Sequence, residues 1–366
     1  MAIKKTKELK ESASEVGAST GGKTSSFDIA IKAINKKHGS VLQYMCDKPL
    51  VINTISTRSI GLDAALDRGG VAKGRIYEIY GPPSAGKTTL AMSIIAEAQR
   101  RGMNCVFVDA EHSADPRLFS SMGVDTAKLH VVELYTGEDN LGVAETLMKT
   151  GSVDLIVIDS VTSLIPKVAA DSELEDNNIA LLARLMSKTT LRFVPIAAET
   201  DTCVIFINQT RNKIGGYGNP ETTTGGDALP FYSTGRIRVS GIGAKANRIV
   251  DSKGKVIGHK TEFETIKNKL ACPFVKSETD LIYGVGYDMT GEVIKIATDL
   301  GILTKAGSWY KYSDENIGQG DNGVRKFFED NPDIFLLIKE EITVLLGLDV
   351  YYKAQAEYDK AREVTA

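Results

Sequence analysis

Residues 81–88 read Gly-Pro-Pro-Ser-Ala-Gly-Lys-Thr, a G-x-x-x-x-G-K-[ST] spacing. Glycines at both ends let the backbone wrap a polyphosphate. Its amide N–H groups, with the N-terminus of the next helix, then face anionic oxygens. Lys87 supplies a point charge for β- and γ-phosphates, and the Thr88 hydroxyl suits Mg²⁺. An apolar run, Ile76–Tyr80, precedes the loop, and Leu90–Ala96 follows it with helical character. This strand–loop–helix context predicts a nucleoside triphosphate site. The motif alone does not say what the triphosphate is for.

Three more strand ends carry candidate chemistry. Leu155–Ile158 is apolar and ends in Asp159, a carboxylate suited to the Mg²⁺ hydration shell or to capping a turn. Val106–Val108 leads through Asp109 and Ala110 to Glu111. A carboxylate there either orients and deprotonates a water beside the γ-phosphate or stands as a solvated loop acid. Val204–Ile207 ends in Asn208 and Gln209. These amides either cap the strand or sense a γ-phosphate and pass the signal to the next loop.

That next segment, 210–226, is long and rich in glycine and threonine, with Arg211, Asn212, Lys213 and Tyr217 among its members. Loops of this length within a compact domain are usually functional or disordered. Its amides, hydroxyls and cations suit phosphodiester contacts, and Tyr217 suits base stacking. A second polar loop, 166–179, follows the Asp159 strand and is acidic, so it would meet DNA through backbone and asparagine.

The elements that position these groups follow from apolar patterning. Strand-like runs at 76–80, 105–108, 155–158 and 204–207 alternate with helical patterns at 88–101, 139–149 and 177–198. That alternation predicts an α/β fold with a mostly parallel sheet covered by helices, and a site at the carboxyl ends of the strands. Residues 236–283 carry hairpin signals, including the turn 251–254, and predict added antiparallel strands. Helical patterns at 291–300 and 333–346 flank a strand-like 308–312, a small C-terminal α/β lobe. The expected organisation is a disordered 1–25, an amphipathic helix and linker over 26–49, a core over 50–290, the lobe over 291–347 and a frayed helical tail over 348–366. The 26–38 helix packs either on its own core or on a neighbouring subunit.

Composition bounds the rest. The formal charge of −3 gives no global attraction to nucleic acid, so any such binding needs a local patch. Cys46, Cys105, Cys203 and Cys272 have no C-x-x-C spacing and read as reduced thiols of a cytoplasmic protein. No apolar run reaches membrane-span length, and the lysine-rich N-terminus lacks an apolar segment behind it.

The chain resembles the bacterial RecA recombinase family over about residues 27–347. The likeness rests on residues 81–89, Asp109–His112 with Asp115-Pro116, Ile158–Val161, Ile207–Gln209, Gly218–Gly226, Lys267–Lys269, and 301–320 around Trp309. The resemblance implies a RecA-type P-loop ATPase core. It implies a helical homo-oligomeric filament on single-stranded DNA that exchanges strands with double-stranded DNA, using ATP and Mg²⁺ at subunit junctions. It implies that Gly81, Pro82, Pro83, Ser84, Ala85, Gly86, Lys87, Thr88 and Thr89 hold ATP, with Asp115 and Tyr283 at the adenine. Glu111 would orient the attacking water and Gln209 would link the γ-phosphate to DNA. Lys267 and Lys269 would reach the neighbouring subunit's phosphates, although without the likeness Lys-Asn-Lys reads as a solvated strand end. Thr88 and Asp159 would serve the metal. Arg184, Ser187, Arg211, Asn212, Lys213, Gly225 and Gly226 would meet DNA, with loops 172–179 and 210–224 lining the axis. Phe231 would join protomers, and 27–38 would be the polymerisation helix. The family also promotes self-cleavage of repressors.

Several residues depart from the family pattern: Leu118 for an adenine-stacking aromatic, Pro83 for Glu, Pro230 for Lys, and Leu191 for an Arg, with Arg192 beside it to compensate. The acidic C-terminal tail is weak or absent. These features describe a divergent member, of the kind carried by a mobile element or phage. Competing readings are a ring-forming helicase or translocase and a nucleotide-switched signalling filament.

Overall fold

The computed structural model describes residues 25–39, 52–173, 180–212, 221–241 and 247–365. Two compact units divide between Val51 and Ile52. In the first, helix Ser26–His38 begins with a capping box: Ser25 Oγ accepts from the Phe27 amide at 3.1 Å, and Asp28 Oδ2 accepts from the Ser25 amide at 3.2 Å. Gly39, with φ of +81°, ends it. None of this helix's residues is buried. Of the stretch 1–25 expected to be disordered, residues 1–24 lie outside the described ones, and Ser25 is the ordered cap of the helix.

The second unit is built on one large sheet, preceded by a two-stranded ladder of β1 (Thr54–Ile55) and β2 (Val71–Ala72). The strands are β3 (Ile76–Gly81), β4 (Cys105–Asp109), β5 (His130–Val132), β6 (Leu155–Asp159), β7 (Cys203–Asn212), β8 (Glu221–Thr223), β9 (Gly235–Gly241), β10 (Arg248–Val250), β11 (Val256–Asn268), β12 (Lys276–Ile282) and β13 (Gly286–Tyr287). Their order is β13-β12-β11-β9-β3-β7-β6-β4-β5, with β10 on β11 and β8 on β7. From β9 to β5 the neighbours run parallel, and from β9 to β13 they run antiparallel.

Both faces of the parallel part are covered, which is why its strands are continuously apolar. Tyr77, Ile79, Phe107, Val157, Ile205 and Ile207 point to one core with helix Lys87–Arg100. Ile76, Val106, Ile156, Ile158, Val204 and Phe206 point to the other, with helices Gly137–Lys149 and Leu181–Thr200. Cys105 and Cys203 are buried in this sheet, whereas Cys272 is exposed.

The C-terminal lobe holds helices Met289–Asp299, Gly320–Asp330 and Pro332–Leu345 around an antiparallel sheet of β14 (Leu303–Ala306), β15 (Trp309–Tyr312) and β16 (Glu315–Gln319). Val293, Ala297, Phe328, Ile338 and Ile342 fill its core. It meets the sheet domain through buried carboxyls. Glu292 Oε1 accepts from Ser59 Oγ at 2.6 Å and from the Gly61 amide at 2.9 Å, and burial pushes its pKa up to about 7. Asp63, bonded to Ser56 and Thr57, is likewise pushed up by burial, to about 6.

The tail differs from the frayed helix expected. Helix Asp349–Thr365 is docked, and its inward face is polar. Tyr352 Oη donates to Asp63 at 2.8 Å, and Gln355 Nε2 donates to Thr54 Oγ1 at 2.6 Å and to Gly69 O at 3.0 Å. The buried Lys73 Nζ donates to Tyr358 Oη and to Asp154, each at 2.9 Å. Arg101 forms a two-pronged pair with Asp359. Hydrophobic periodicity missed this face because hydrogen-bonding groups fill it.

Candidate functional site

The loop after β3 leaves the sheet at Gly81, where a Cβ would lie 1.9 Å from Val239 O, so only glycine fits. Ser84 and Gly86 take φ of +59° and +98°, turning the chain into helix Lys87–Arg100. Tyr287 Oη pins the turn by donating to Gly86 O at 2.9 Å. Pro83 and Ser84 are exposed at its rim. Lys87 Nζ donates to Pro82 O at 2.8 Å, within the loop, and burial lowers its pKa.

Thr88 Oγ1 donates to Asp159 Oδ2 at 2.6 Å, so the end of β6 stands over the first turn of the helix. Burial pushes Asp159 up to about 6; Thr88 and Lys87 oppose the shift and Glu111 adds to it. A hydroxyl and a carboxylate in contact beside a buried lysine form a donor set that fits a hydrated divalent cation next to a polyphosphate. The loop backbone is shaped for the polyphosphate itself.

Asp109 and Asp159 are paired in register across β4 and β6, which carries Glu111 just beyond the sheet edge. Glu111 Oε1 accepts from Ser160 Oγ at 2.5 Å and more loosely from Gln209 Nε2 at 3.4 Å. Lys87, Thr88, Asp159, Glu111 and Gln209 therefore converge at the carboxyl ends of β3, β4, β6 and β7. Sequence reading passed over Ser160, whose hydroxyl orients Glu111.

Lys267 and Lys269 are placed elsewhere. Lys267 Nζ donates to Pro230 O at 2.6 Å and Phe231 O at 2.8 Å, and Lys269 Nζ to Phe231 O at 3.3 Å. Both ammonium groups thus cap the carbonyl end of helix Ala228–Tyr232. Burial, with a smaller contribution from the neighbouring cations Lys269 and Arg236, lowers the Lys267 pKa to about 8. The Phe231 ring is 72% exposed, free for an intermolecular contact. Asp115 caps helix Pro116–Ser121 and pairs with Arg117, while Tyr283 is exposed and shares a 3.0 Å hydrogen bond with His259 Nδ1. Leu118 is 38% exposed.

The expected glycine-rich loop starts later than its sequence implies. Thr210–Asn212 still belong to β7 and pair with Glu221–Thr223 of β8, so Arg211 and Asn212 sit on a hairpin stem. Lys213 and Tyr217 lie outside the described residues, as do positions 174–179 of the second loop. Gly225 and Gly226 run against helix Leu181–Thr200, where a Cβ would meet Met186 and Ala183 at 3.1 and 3.0 Å. Arg184 and Ser187 are exposed one turn apart on that helix. Leu191 is 55% exposed, and Arg192 is drawn to Glu145 at 2.6 Å instead of standing free to compensate.

Behind the loops lies a network that sequence reading missed. Glu78, fully buried in β3, accepts from Asn208 Nδ2 at 2.9 Å and Arg236 Nε at 2.5 Å. The available signal was a single acid inside the apolar run Ile-Tyr-Glu-Ile-Tyr.

Among the described residues no helix is long and apolar enough to cross a membrane. Residues 25–288 match the RecA N-terminal domain family and residues 291–347 the RecA C-terminal domain family. Protein RecA of Lactobacillus johnsonii is 41% identical over 345 residues, 93% of this chain and 94% of that protein. Protein RecA of Bacillus licheniformis is 41% identical, covering 92% of this chain and 96% of its own. The Desulforapulum autotrophicum Protein RecA is 44% identical over 85% of this chain and 88% of its own. With both domains matched in order along one chain, this protein belongs to the RecA family.

Proposed function

We propose that this RecA-family recombinase, a protein of DNA recombination and repair, couples ATP hydrolysis to DNA strand exchange in a head-to-tail filament. The observation that carries the reading is the convergence of Thr88, Asp159, Glu111 and Gln209 on one phosphate loop. ATP is held by residues 81–89, with its adenine between Asp115 and Tyr283. Thr88 and Asp159 hold the Mg²⁺ that neutralises phosphate charge. Glu111, fixed by Ser160, takes a proton from the water that attacks the γ-phosphorus as the bond to the β-phosphate oxygen breaks. Gln209, on β7 just before the segment that pairs with β8, sits between that carboxylate and the stem of the 210–224 loop, which with Arg184, Ser187, Gly225 and Gly226 contacts DNA. Lys267 and Lys269 leave the Pro230 and Phe231 carbonyls for the neighbouring protomer's phosphates, acting in trans.

Phosphate release with and without single-stranded DNA is the primary test. Turnover should rise strongly with DNA, and a rate that DNA leaves unchanged would refute the coupling. Electron microscopy with a non-hydrolysable ATP analogue should show extended helices; closed rings would favour a translocase.

A further inference from the structure

Glu78 lies three residues before Gly81 on β3, opposite Arg236 in the parallel β3–β9 register. The side chains of Ile237 and Val239 belong to the core on one face of the sheet, which sends Arg236 to the other. On β7, Val204 and Phe206 mark that same second face, and Asn208 continues their alternation. Strand parity therefore gathers Glu78, Asn208 and Arg236 on one side of the sheet.

There the carboxylate bridges two elements of opposite duty. Asn208 Nδ2 donates both to Glu78 and, at 2.8 Å, to Thr224 O, while Asn208 Oδ1 accepts from the Gln209 amide at 2.9 Å. Arg236 Nε donates to Glu78, and its Nη2 reaches Thr223 Oγ1 at 3.3 Å. The guanidinium also stacks over the Tyr80 ring at 4.5 Å. A buried carboxylate thus holds the residue before Gln209 and, through Arg236, the β8 strand that closes the DNA-loop stem. Removing one partner of a buried, hydrogen-bonded charge leaves the other uncompensated, so this joint has few alternative arrangements.

We propose that Glu78 is a positioning residue that couples the nucleotide site to the 210–224 stem, making hydrolysis responsive to DNA. The proposal rests on the DNA-coupled ATPase reading above. Glu78 touches neither nucleotide nor DNA in that reading. It acts by fixing how Asn208-Gln209 and Thr223-Thr224 move together.

The test compares Glu78→Gln with Arg236→Lys, which retains a cation beside Glu78 but lacks the fork that reaches Thr223. Steady-state turnover is measured without DNA and with saturating single-stranded DNA, together with nucleotide affinity and the thermal midpoint. In both variants DNA stimulation should fall at least ~10-fold while basal turnover and nucleotide affinity stay within ~2-fold. Arg236→Lys keeps the charge pair, so its melting temperature should stay nearer wild type even if Glu78→Gln is destabilised. Wild-type-like stimulation in Arg236→Lys, or parallel loss of basal and stimulated turnover in a folded variant, would overturn the proposal. Wild-type protein serves as the separate control: if DNA fails to stimulate it, the underlying function is wrong and the Glu78 variants are not at fault.

Discussion

Lys267 Nζ lies 2.6 Å from Pro230 O, so a cation expected to work on a neighbouring subunit is engaged with its own Phe231 helix. Capping of this kind is worth about 1 kcal/mol. Phosphate oxygens offer stronger, charge-assisted acceptors. In the proposed trans role, engagement of the next protomer's ATP would compete directly with the contact that steadies Phe231.

Mixing variants tests that division between subunits. Lys87→Ala and Lys269→Ala should each lose most DNA-stimulated turnover, the first with nucleotide affinity and the second with affinity largely spared. Combined in equal amounts, they form some junctions with an intact loop on one side and an intact lysine pair on the other. Phosphate release by the mixture should exceed the mean of the separate proteins. Strict additivity would place both residues in one protomer's site.

Glu111→Gln keeps an oxygen for Ser160 and loses the basic carboxylate. DNA-stimulated kcat should drop on the order of 100-fold or more, with ATP binding changed only a few-fold. Filaments of this variant should persist on single-stranded DNA with ATP, as judged by electron microscopy. Undiminished turnover would remove Glu111 from the chemistry.

Glu292 predicts a pH dependence of stability. Its pKa rises from the ordinary 4.5 to about 7 on folding, so the native state binds the proton more tightly. The stabilisation is complete below the unfolded value and is lost as pH rises through about 7, up to ~3 kcal/mol for the whole shift. The buried Asp63 acts in the same direction with its pKa near 6. In Glu292→Gln one amide oxygen can still accept from Ser59 and Gly61. Urea unfolding between pH 5 and 8 should show a flatter profile for this variant than for wild type; equal slopes would exclude Glu292 as the source.

Deleting residues 349–365 should destabilise the ATPase core itself. It would uncover Lys73, Asp63 and Arg101 and remove partners from Thr54 and Gly69. Replacing Gln355 alone with Ala should cost about 1–3 kcal/mol if water does not reach Thr54 and Gly69. Thermal unfolding reads both changes. A truncated chain as stable as the full one would make the docked helix dispensable.

The legible parts were those whose signal is local. The strands β3, β4, β6 and β7 stand out because burial on both faces leaves no room for polar alternation, and the phosphate loop because its spacing is rigid. Less legible were relationships that exist only after strands pair. Glu78 meets Arg236 through parallel register between residues 158 positions apart. The β7 extension through Asn212 was hidden because its partner, β8, lies across the loop in sequence. In the lobe, β14, β16 and helix Gly320–Asp330 are short elements with mixed patterning, so only the aromatic run at β15 announced a strand. The docked C-terminal helix escaped because its inward face carries Tyr352, Gln355 and Asp359, an i, i+3, i+7 polar stripe.

That helix also dictates an order of events during synthesis. Gln355 completes the hydrogen bonding of Thr54, a partner 301 residues earlier. The β1–β2 ladder and Lys73 are therefore made long before the side chains that satisfy them can emerge from a ribosome. Contacts of such sequence separation carry the largest loop-closure cost and slow folding. The nascent core is therefore built well before helix Asp349–Thr365 exists, and the docking of that helix is a late step of folding.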